Sequence, residues 1–153
     1  MPAWYDIRNL ESLERDVDSA GLAASCERIL GIAQIEAAGV GWGRLVIAGF
    51  SQGGSVAAQL LDYLPQRPAG LLCLSTYAAA PLKPAFDPAG LPALVMHGEL
   101  DPVVPPQLGE ALATHLRNLG LSVQHATYPM AHQVCLEQIE EIGAWLAKVL
   151  RLA

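Results

Sequence analysis

Three short apolar runs, none containing a polar residue, constrain the fold of this chain more than any other feature. They occupy residues 45–48, 71–74 and 93–96. A continuous apolar run of this length, without polar alternation, is typical of a strand that is covered on both faces. A fourth run, residues 123–128 (VQHATY), mixes polar and apolar positions and predicts an edge strand.

Helical patterns lie between and around these runs. Apolar residues recur at helical spacing over residues 19–38, and Gly39 is expected to cap that helix at its C-terminal end. Further helices are expected from a serine turn near residue 51 to a point before Pro65, from Pro105 to about residue 119, and from about residue 135 to residue 150. This order predicts an α/β fold: a mostly parallel sheet of about four strands, joined by right-handed crossovers, with helices on both faces.

Size and composition narrow the class of protein. A length of 153 residues fits one domain, and we expect a single α/β domain over residues 1–153. The chain is 52% apolar and 16% charged, which excludes a disordered tail protein. Its net charge of −6 and scattered basic residues argue against a nucleic-acid partner. No apolar run is long enough for a transmembrane helix, and the first ten residues do not resemble a signal peptide.

Three cysteines, Cys26, Cys73 and Cys135, have no spacing typical of a zinc site. Because their number is odd, they do not form a complete set of disulfides within the chain. The simplest interpretation is that they are reduced thiols in a cytoplasmic protein.

The serine turn is the strongest candidate for chemistry. Gly49-Phe50-Ser51-Gln52-Gly53 has the pattern G-x-S-x-G and joins a predicted strand to a predicted helix. In that context the pattern is a nucleophile elbow, a strained turn that exposes the serine hydroxyl and requires small flanking residues. Ser51 would then stand at the N-terminal end of a helix, where the helix dipole favours negative charge.

An elbow serine needs a base and an orienting acid, in the chain order Ser, Asp or Glu, His. Asp101 follows the third strand and His132 follows the fourth. Because the carboxyl ends of parallel strands meet at one edge of a sheet, both should lie near Ser51. His132 is the predicted base and Asp101 its orienting partner, with Glu99 as a nearby rival to Asp101 and His97 more consistent with packing or support.

The segments AGFSQGG, HGELDPVVP and YPMAHQV together resemble the motif blocks of the carboxylesterase and acyl-protein thioesterase (phospholipase/carboxylesterase) family of α/β-hydrolases. The resemblance covers essentially the whole chain. It implies hydrolysis of carboxyl esters or acyl thioesters, small-molecule substrates, without a metal or cofactor. It also implies Ser51, Asp101 and His132 as the catalytic triad, and the Gln52 backbone N–H as one oxyanion-hole donor. Trp4 and Tyr5 are expected to line the substrate site.

One part of the family pattern has no counterpart here. The segment AWYDI, residues 3–7, resembles a further block of the family. Family members carry early strands and an HGxG loop ahead of that block, and the loop supplies a second oxyanion donor. The resemblance therefore predicts a truncated α/β-hydrolase fold, either in a natural protein or in a fragment of a longer one. It leaves the edge of the first strand, residues 45–48, open. An apolar open edge favours pairing with another chain, so a homodimer or a higher assembly is expected.

Two functions follow from these residues. The first is a serine carboxylesterase that hydrolyses short- to medium-chain acyl esters or thioesters through an acyl-enzyme. The second is a catalytically impaired α/β-hydrolase remnant with a role in assembly or binding. A related alternative, a dienelactone-hydrolase-like or peptidase activity, uses the same triad, but dienelactone hydrolases prefer cysteine at the elbow, and Ser51 argues against them.

Overall fold

The computed structural model describes residues 3–7 and 17–151. Its elements, in chain order, are helix α1 (Ser19–Val40), strand β1 (Val46–Phe50), helix α2 (Gln52–Gln59), strands β2 (Gly70–Leu74) and β3 (Pro92–Gly98), helix α3 (Pro106–Asn118), strand β4 (Ser122–Tyr128) and helix α4 (Leu136–Val149). Single turns of 3₁₀ helix lie before β1 and after α2. All four predicted strands and all four predicted helices are therefore present.

The four strands form one parallel sheet in the order β1-β2-β3-β4. Ala48 pairs with Leu72, Leu72 with Leu94, and Leu94 with Gln124. Because every strand runs in the same direction, all four carboxyl ends lie along one edge of the sheet. The predicted α/β fold with a parallel sheet is confirmed, and β4 is an edge strand as expected.

Each face of the sheet packs against its own helices. Residues such as Ile47, Cys73 and Val95 pack with the buried sides of α1, α2 and α3. Their neighbours along the strands, including Leu72 and Met96, pack on the other face against α4, where Trp145 is the largest buried side chain. The alternation of side chains along each strand divides the core into these two layers.

The first strand differs from the expectation in one respect. The run 45–48, which overlaps β1, was expected to be covered on both faces, but within β1 only Ile47 is buried, whereas Ala48 and Phe50 are exposed. Strand β1 lies at the edge of the sheet opposite β4. On the face that α4 covers, Val46 is partly buried against the Trp145 cluster, and the exposed Ala48 and Phe50 lie further along the strand.

The cap of α1 also differs from the prediction. The helix continues through Gly39 and ends at Val40, and Gly41 donates its backbone N–H to the carbonyl of Ala37. Gly41 has a φ of 84°, a conformation that favours glycine. The prediction of Gly39 was wrong because two glycines lie within three residues and only the backbone geometry distinguishes them.

Within the described ranges, no helix is both long enough and apolar enough to pass through a bilayer.

Candidate active site

Ser51 lies at the junction of β1 and α2 in a conformation that few non-glycine residues adopt. Its φ is 54° and its ψ is −125°. The Ser51 N–H donates to the carbonyl of Leu74 at 2.8 Å, which ties the turn to the end of β2. A strained backbone held this firmly is typical of a functional site, and here it presents the hydroxyl at the carboxyl edge of the sheet.

Two glycines make this turn possible. A Cβ atom on Gly49 would overlap the backbone of Gly53, and a Cβ atom on Gly54 would lie 2.8 Å from the Gly49 carbonyl oxygen and from the side chain of Thr76. A Cβ atom on Gly53 would meet only the Trp4 indole, at 3.4 Å. The elbow motif predicts small residues at positions 49 and 53. The structure requires one at Gly49, but the second position without room for a side chain is Gly54, not Gly53.

The structure brings Ser51, His132 and Asp101 together in one chain of hydrogen bonds. The His132 Nε2 atom lies 2.9 Å from the Ser51 Oγ atom, and His132 Nδ1 lies 2.7 Å from Asp101 Oδ2. The Asp101 side chain is fully buried, and the His132 ring is mostly buried. With its Nδ1–H donating to Asp101, the ring leaves Nε2 free to accept the serine proton.

Asp101 is held by its own loop. Its Oδ1 atom accepts the backbone N–H groups of Val103 and Val104, each at 2.8 Å. Burial alone would raise the pKa of Asp101, but the hydrogen bonds from His132 and from these two amides outweigh it and hold the pKa below the ordinary value. Asp101 is therefore a carboxylate suited to orient an imidazole and to stabilise its protonated form.

His97 supports the same loop from beneath. It is completely buried, its Nε2 lies 2.9 Å from the Val104 carbonyl oxygen, and it lies 3.5 Å from Asp101 Oδ2. Its ring packs against Gly109 of α3, where there is no room for a Cβ atom. The rival acid Glu99 accepts a hydrogen bond from Thr127 Oγ1 at 2.9 Å instead of contacting His132. This geometry favours Asp101 over Glu99 and gives His97 the supporting place expected of it.

Gln52 joins the N-terminal segment to the elbow. Its side-chain Nε2 donates to the Tyr5 carbonyl at 2.6 Å, and its Oε1 accepts the Trp4 N–H at 3.0 Å. Its backbone N–H lies in the first turn of α2, where helix N–H groups have no partner within the helix. The side chain thus fixes residues 4 and 5, while the backbone N–H is left without a partner inside the helix.

Trp4 and Tyr5 occupy different environments. The Trp4 side chain is 43% exposed and lies beside Gly53, whereas Tyr5 is buried and its hydroxyl is hydrogen-bonded to the Tyr77 hydroxyl at 2.6 Å. Trp4 can therefore offer surface to a ligand near Ser51. Tyr5 instead anchors the segment.

Sequence reasoning assigned no role to Thr76, which follows β2. Thr76 is completely buried, and its Oγ1 donates to the carbonyl oxygen of Ser51 at 2.5 Å. Phe50 was named only as a member of the elbow motif, yet its ring centroid lies 4.7 Å from that of His132. No residue pattern marks either contact, because each depends on how neighbouring strands end.

Comparison with known proteins gives consistent matches. A sequence profile described as Phospholipase/Carboxylesterase matches residues 1–150. Acyl-protein thioesterase 1 of Neurospora crassa is 35% identical over 163 residues, covering 98% of this chain and 66% of the relative. The protein of the same name from Gibberella zeae is 34% identical and is covered over 69% of its length. The chain therefore spans about two thirds of the length of these relatives.

Solved structures share the fold. Arabidopsis thaliana SOBER1 superimposes with a TM-score of 0.87 at 22% identity, covering 98% of this chain and 75% of that one. Zea mays acyl-protein thioesterase 2 superimposes with a TM-score of 0.82 at 23% identity, covering 97% and 72%. At these identities the likeness supports the α/β-hydrolase architecture alone.

The crowding at the elbow gives a paired prediction. We expect Gly54→Ala to lower the free energy of unfolding by about 1–3 kcal/mol, because its new methyl group would meet the Gly49 carbonyl and Thr76. Gly53→Ala, one residue away in the same helix, should change it by less than about 0.5 kcal/mol or raise it slightly. Urea unfolding of the two variants measures the difference, and equal losses would contradict this account of the turn.

The low pKa of Asp101 predicts part of the acid sensitivity of the fold. A carboxyl whose folded pKa lies below its unfolded value of about 3.9 stabilises the fold above that pH, and the contribution is lost as the pH falls through the folded pKa. We therefore expect the free energy of unfolding to fall more steeply below pH 4 in the wild type than in Asp101→Asn. Urea titrations at several pH values test this, and parallel curves for the two proteins would refute it.

Proposed function

The chain belongs to the phospholipase/carboxylesterase family, and from this premise we propose that it is a serine hydrolase of carboxylic acyl esters or thioesters. The observation that carries the proposal is the continuous hydrogen-bonded path from Ser51 through His132 to Asp101, with separations of 2.9 Å and 2.7 Å. A nucleophile, a base within reach of its proton and an acid that orients the base are the parts that acyl transfer requires.

In the proposed mechanism, His132 Nε2 removes the Ser51 proton as Oγ attacks the acyl carbonyl carbon. The carbonyl electrons move to oxygen, which gives a tetrahedral intermediate. That intermediate collapses, the C–O or C–S bond breaks, and the imidazolium returns its proton to the departing alcohol or thiol. Water then repeats the sequence on the acyl-enzyme and releases the acid, while Asp101 stabilises the imidazolium in both halves.

The negative oxygen of each intermediate needs hydrogen-bond donors. The Gln52 N–H, at the start of α2, is the proposed donor, and the dipole of the helix adds to its effect. One donor of an oxyanion hole is typically worth about 10²–10³ in rate. The rate therefore depends strongly on how well this N–H group is oriented.

The substrate proposed is a short- to medium-chain acyl ester or thioester. Exposed apolar side chains stand close to the triad: Trp4 beside Gly53, Phe50 against the His132 ring, and Val134 two residues beyond His132. An apolar border of this kind suits an acyl chain better than a charged group. The two curated relatives are named as acyl-protein thioesterases, which supports extending the proposal to thioesters. Trp4 is the proposed contact, with Tyr5 holding it in place.

A cytoplasmic location is proposed on the chemistry of the thiols. Cys26, Cys73 and Cys135 are free, and free cysteines are typical of reducing compartments. Burial raises the pKa of Cys73 to about 12, so this thiol is protonated and inert at neutral pH.

Labelling of the serine tests the proposed function. We expect a fluorophosphonate probe to add a single adduct to the wild-type protein, seen by intact mass, because His132 activates Ser51. Ser51→Ala should give no adduct, and His132→Ala should label far more slowly. Hydrolysis of p-nitrophenyl esters and of an acyl thioester of matched chain length then ranks the substrates. A folded protein that forms no adduct would favour the alternative, an impaired remnant with a role in assembly or binding.

Pairing of the open sheet edge is the proposed oligomeric contact. Among the described strands, β1 pairs on one side only, with β2, and a groove beside it is lined by apolar residues of α1 and β1 that include Ile32 and Val46. In a twofold dimer, β1 would pair with its own copy, which satisfies both edges at once.

We expect sedimentation velocity at micromolar concentration to give a dimer. Ala48→Lys, on the exposed side of β1, should shift it toward the monomer because a charged edge resists pairing. Ala111→Lys, on the exposed side of α3, should not. A well-folded wild-type monomer at that concentration would rule the contact out.

A further inference from the structure

We propose that Thr76 is a positioning residue of the oxyanion hole and that it acts through the peptide bond between Ser51 and Gln52. The inference rests on the proposed function, because it assigns the Gln52 N–H to the developing oxyanion. It adds a residue that lies behind the site and that the substrate does not touch.

The hydrogen bond between Thr76 and Ser51 is short and shielded from solvent. Thr76 Oγ1 donates to the Ser51 carbonyl oxygen at 2.5 Å, and the Thr76 residue has no exposed surface. The same oxygen also accepts the N–H groups of Gly54 at 3.0 Å and Ser55 at 3.3 Å, as in an ordinary helix start. The threonine hydroxyl thus makes the shortest of the three hydrogen bonds to this oxygen. Because the side chain is buried, water cannot take its place.

The geometry of a peptide bond links this contact to catalysis. The Ser51 carbonyl and the Gln52 N–H belong to one planar trans unit and point in opposite directions. A donor that fixes the direction of the carbonyl also fixes the direction of the N–H on the far side. A hydrogen bond accepted by a carbonyl polarises its peptide unit, which makes the N–H a stronger donor.

The fold aims Thr76 at this carbonyl through two further features. Ser75, the residue before it, has a φ of 46° and donates its N–H to the Met96 carbonyl, which turns the chain toward the elbow as β2 ends. The Thr76 methyl group lies where a Cβ atom on Gly54 would be only 2.8 Å away, so the side chain is wedged against the first turn of α2. The hydroxyl therefore has little freedom to leave the Ser51 carbonyl.

Two variants separate the hydroxyl from the shape of the side chain. Thr76→Val keeps the shape and removes the hydroxyl, and Thr76→Ser restores the hydroxyl without the methyl group. We expect Thr76→Val to lower kcat on a p-nitrophenyl ester by about tenfold, below the 10²–10³ cost of losing the whole donor, with KM nearly unchanged. The affinity for phenylboronic acid, which forms a tetrahedral adduct on the serine, should fall in proportion. Thr76→Ser should recover most of both.

A second readout does not depend on turnover. The ¹H and ¹⁵N amide shifts of Gln52 in the free protein should move in Thr76→Val and return in Thr76→Ser, because the hydrogen bond at the carbonyl alters the N–H of the same peptide. A loss of stability in Thr76→Val with kcat, boronate affinity and the Gln52 shifts unchanged would overturn the proposal and leave Thr76 a structural residue.

The failure of this inference is distinguishable from failure of the proposed function. A wild-type protein that takes up the fluorophosphonate adduct and yet has the same kcat as Thr76→Val refutes the role of Thr76 alone. A wild-type protein with no adduct and no ester hydrolysis refutes the proposed function and, with it, the role of Thr76 in an oxyanion hole.

Discussion

The fit of one strained serine between a strand and a helix is the constraint on which the rest of the site depends. Ser51 keeps its positive φ only because Gly49 and Gly54 allow β1 and α2 to approach without side chains between them. The cost of such a backbone conformation is of order 1–3 kcal/mol, and the surrounding hydrogen bonds must offset it. Here the Leu74 carbonyl holds the serine N–H and Thr76 holds the serine carbonyl, so the end of β2 clamps the turn on both sides of one residue.

The sequence was sufficient to predict the sheet, its helices and the three residues that the structure brings together. Continuous apolar runs marked the buried strands, and the order of Ser51, Asp101 and His132 after three different strands placed them at one edge. These signals are readable because they depend on local pattern and on parallel topology. Their roles in catalysis remain a proposal, as do those of Gln52, Trp4 and Tyr5.

Other features could not be predicted because they depend on contacts between distant segments. The motif marks Gly53, but the space at Gly54 is limited by Thr76, which is 22 residues further along the chain. Gly41 rather than Gly39 caps α1 because Gly41 has the positive φ, an angle that the sequence does not reveal. The exposure of β1 on one face follows from its place at the sheet edge, which a list of apolar residues does not reveal.

The hydrogen bond between Ser51 and His132 joins residues 81 positions apart. During synthesis at about 5–20 residues per second, roughly 4–16 s separate the appearance of the serine from that of its base. The elbow can fold against β2 within that interval, but its hydroxyl has no partner to take the proton. On the ribosome the proposed nucleophile is therefore inactive until β4 and the loop after it are complete. The elbow of a nascent chain can therefore be folded several seconds before the hydrogen bond from Ser51 to His132 can form.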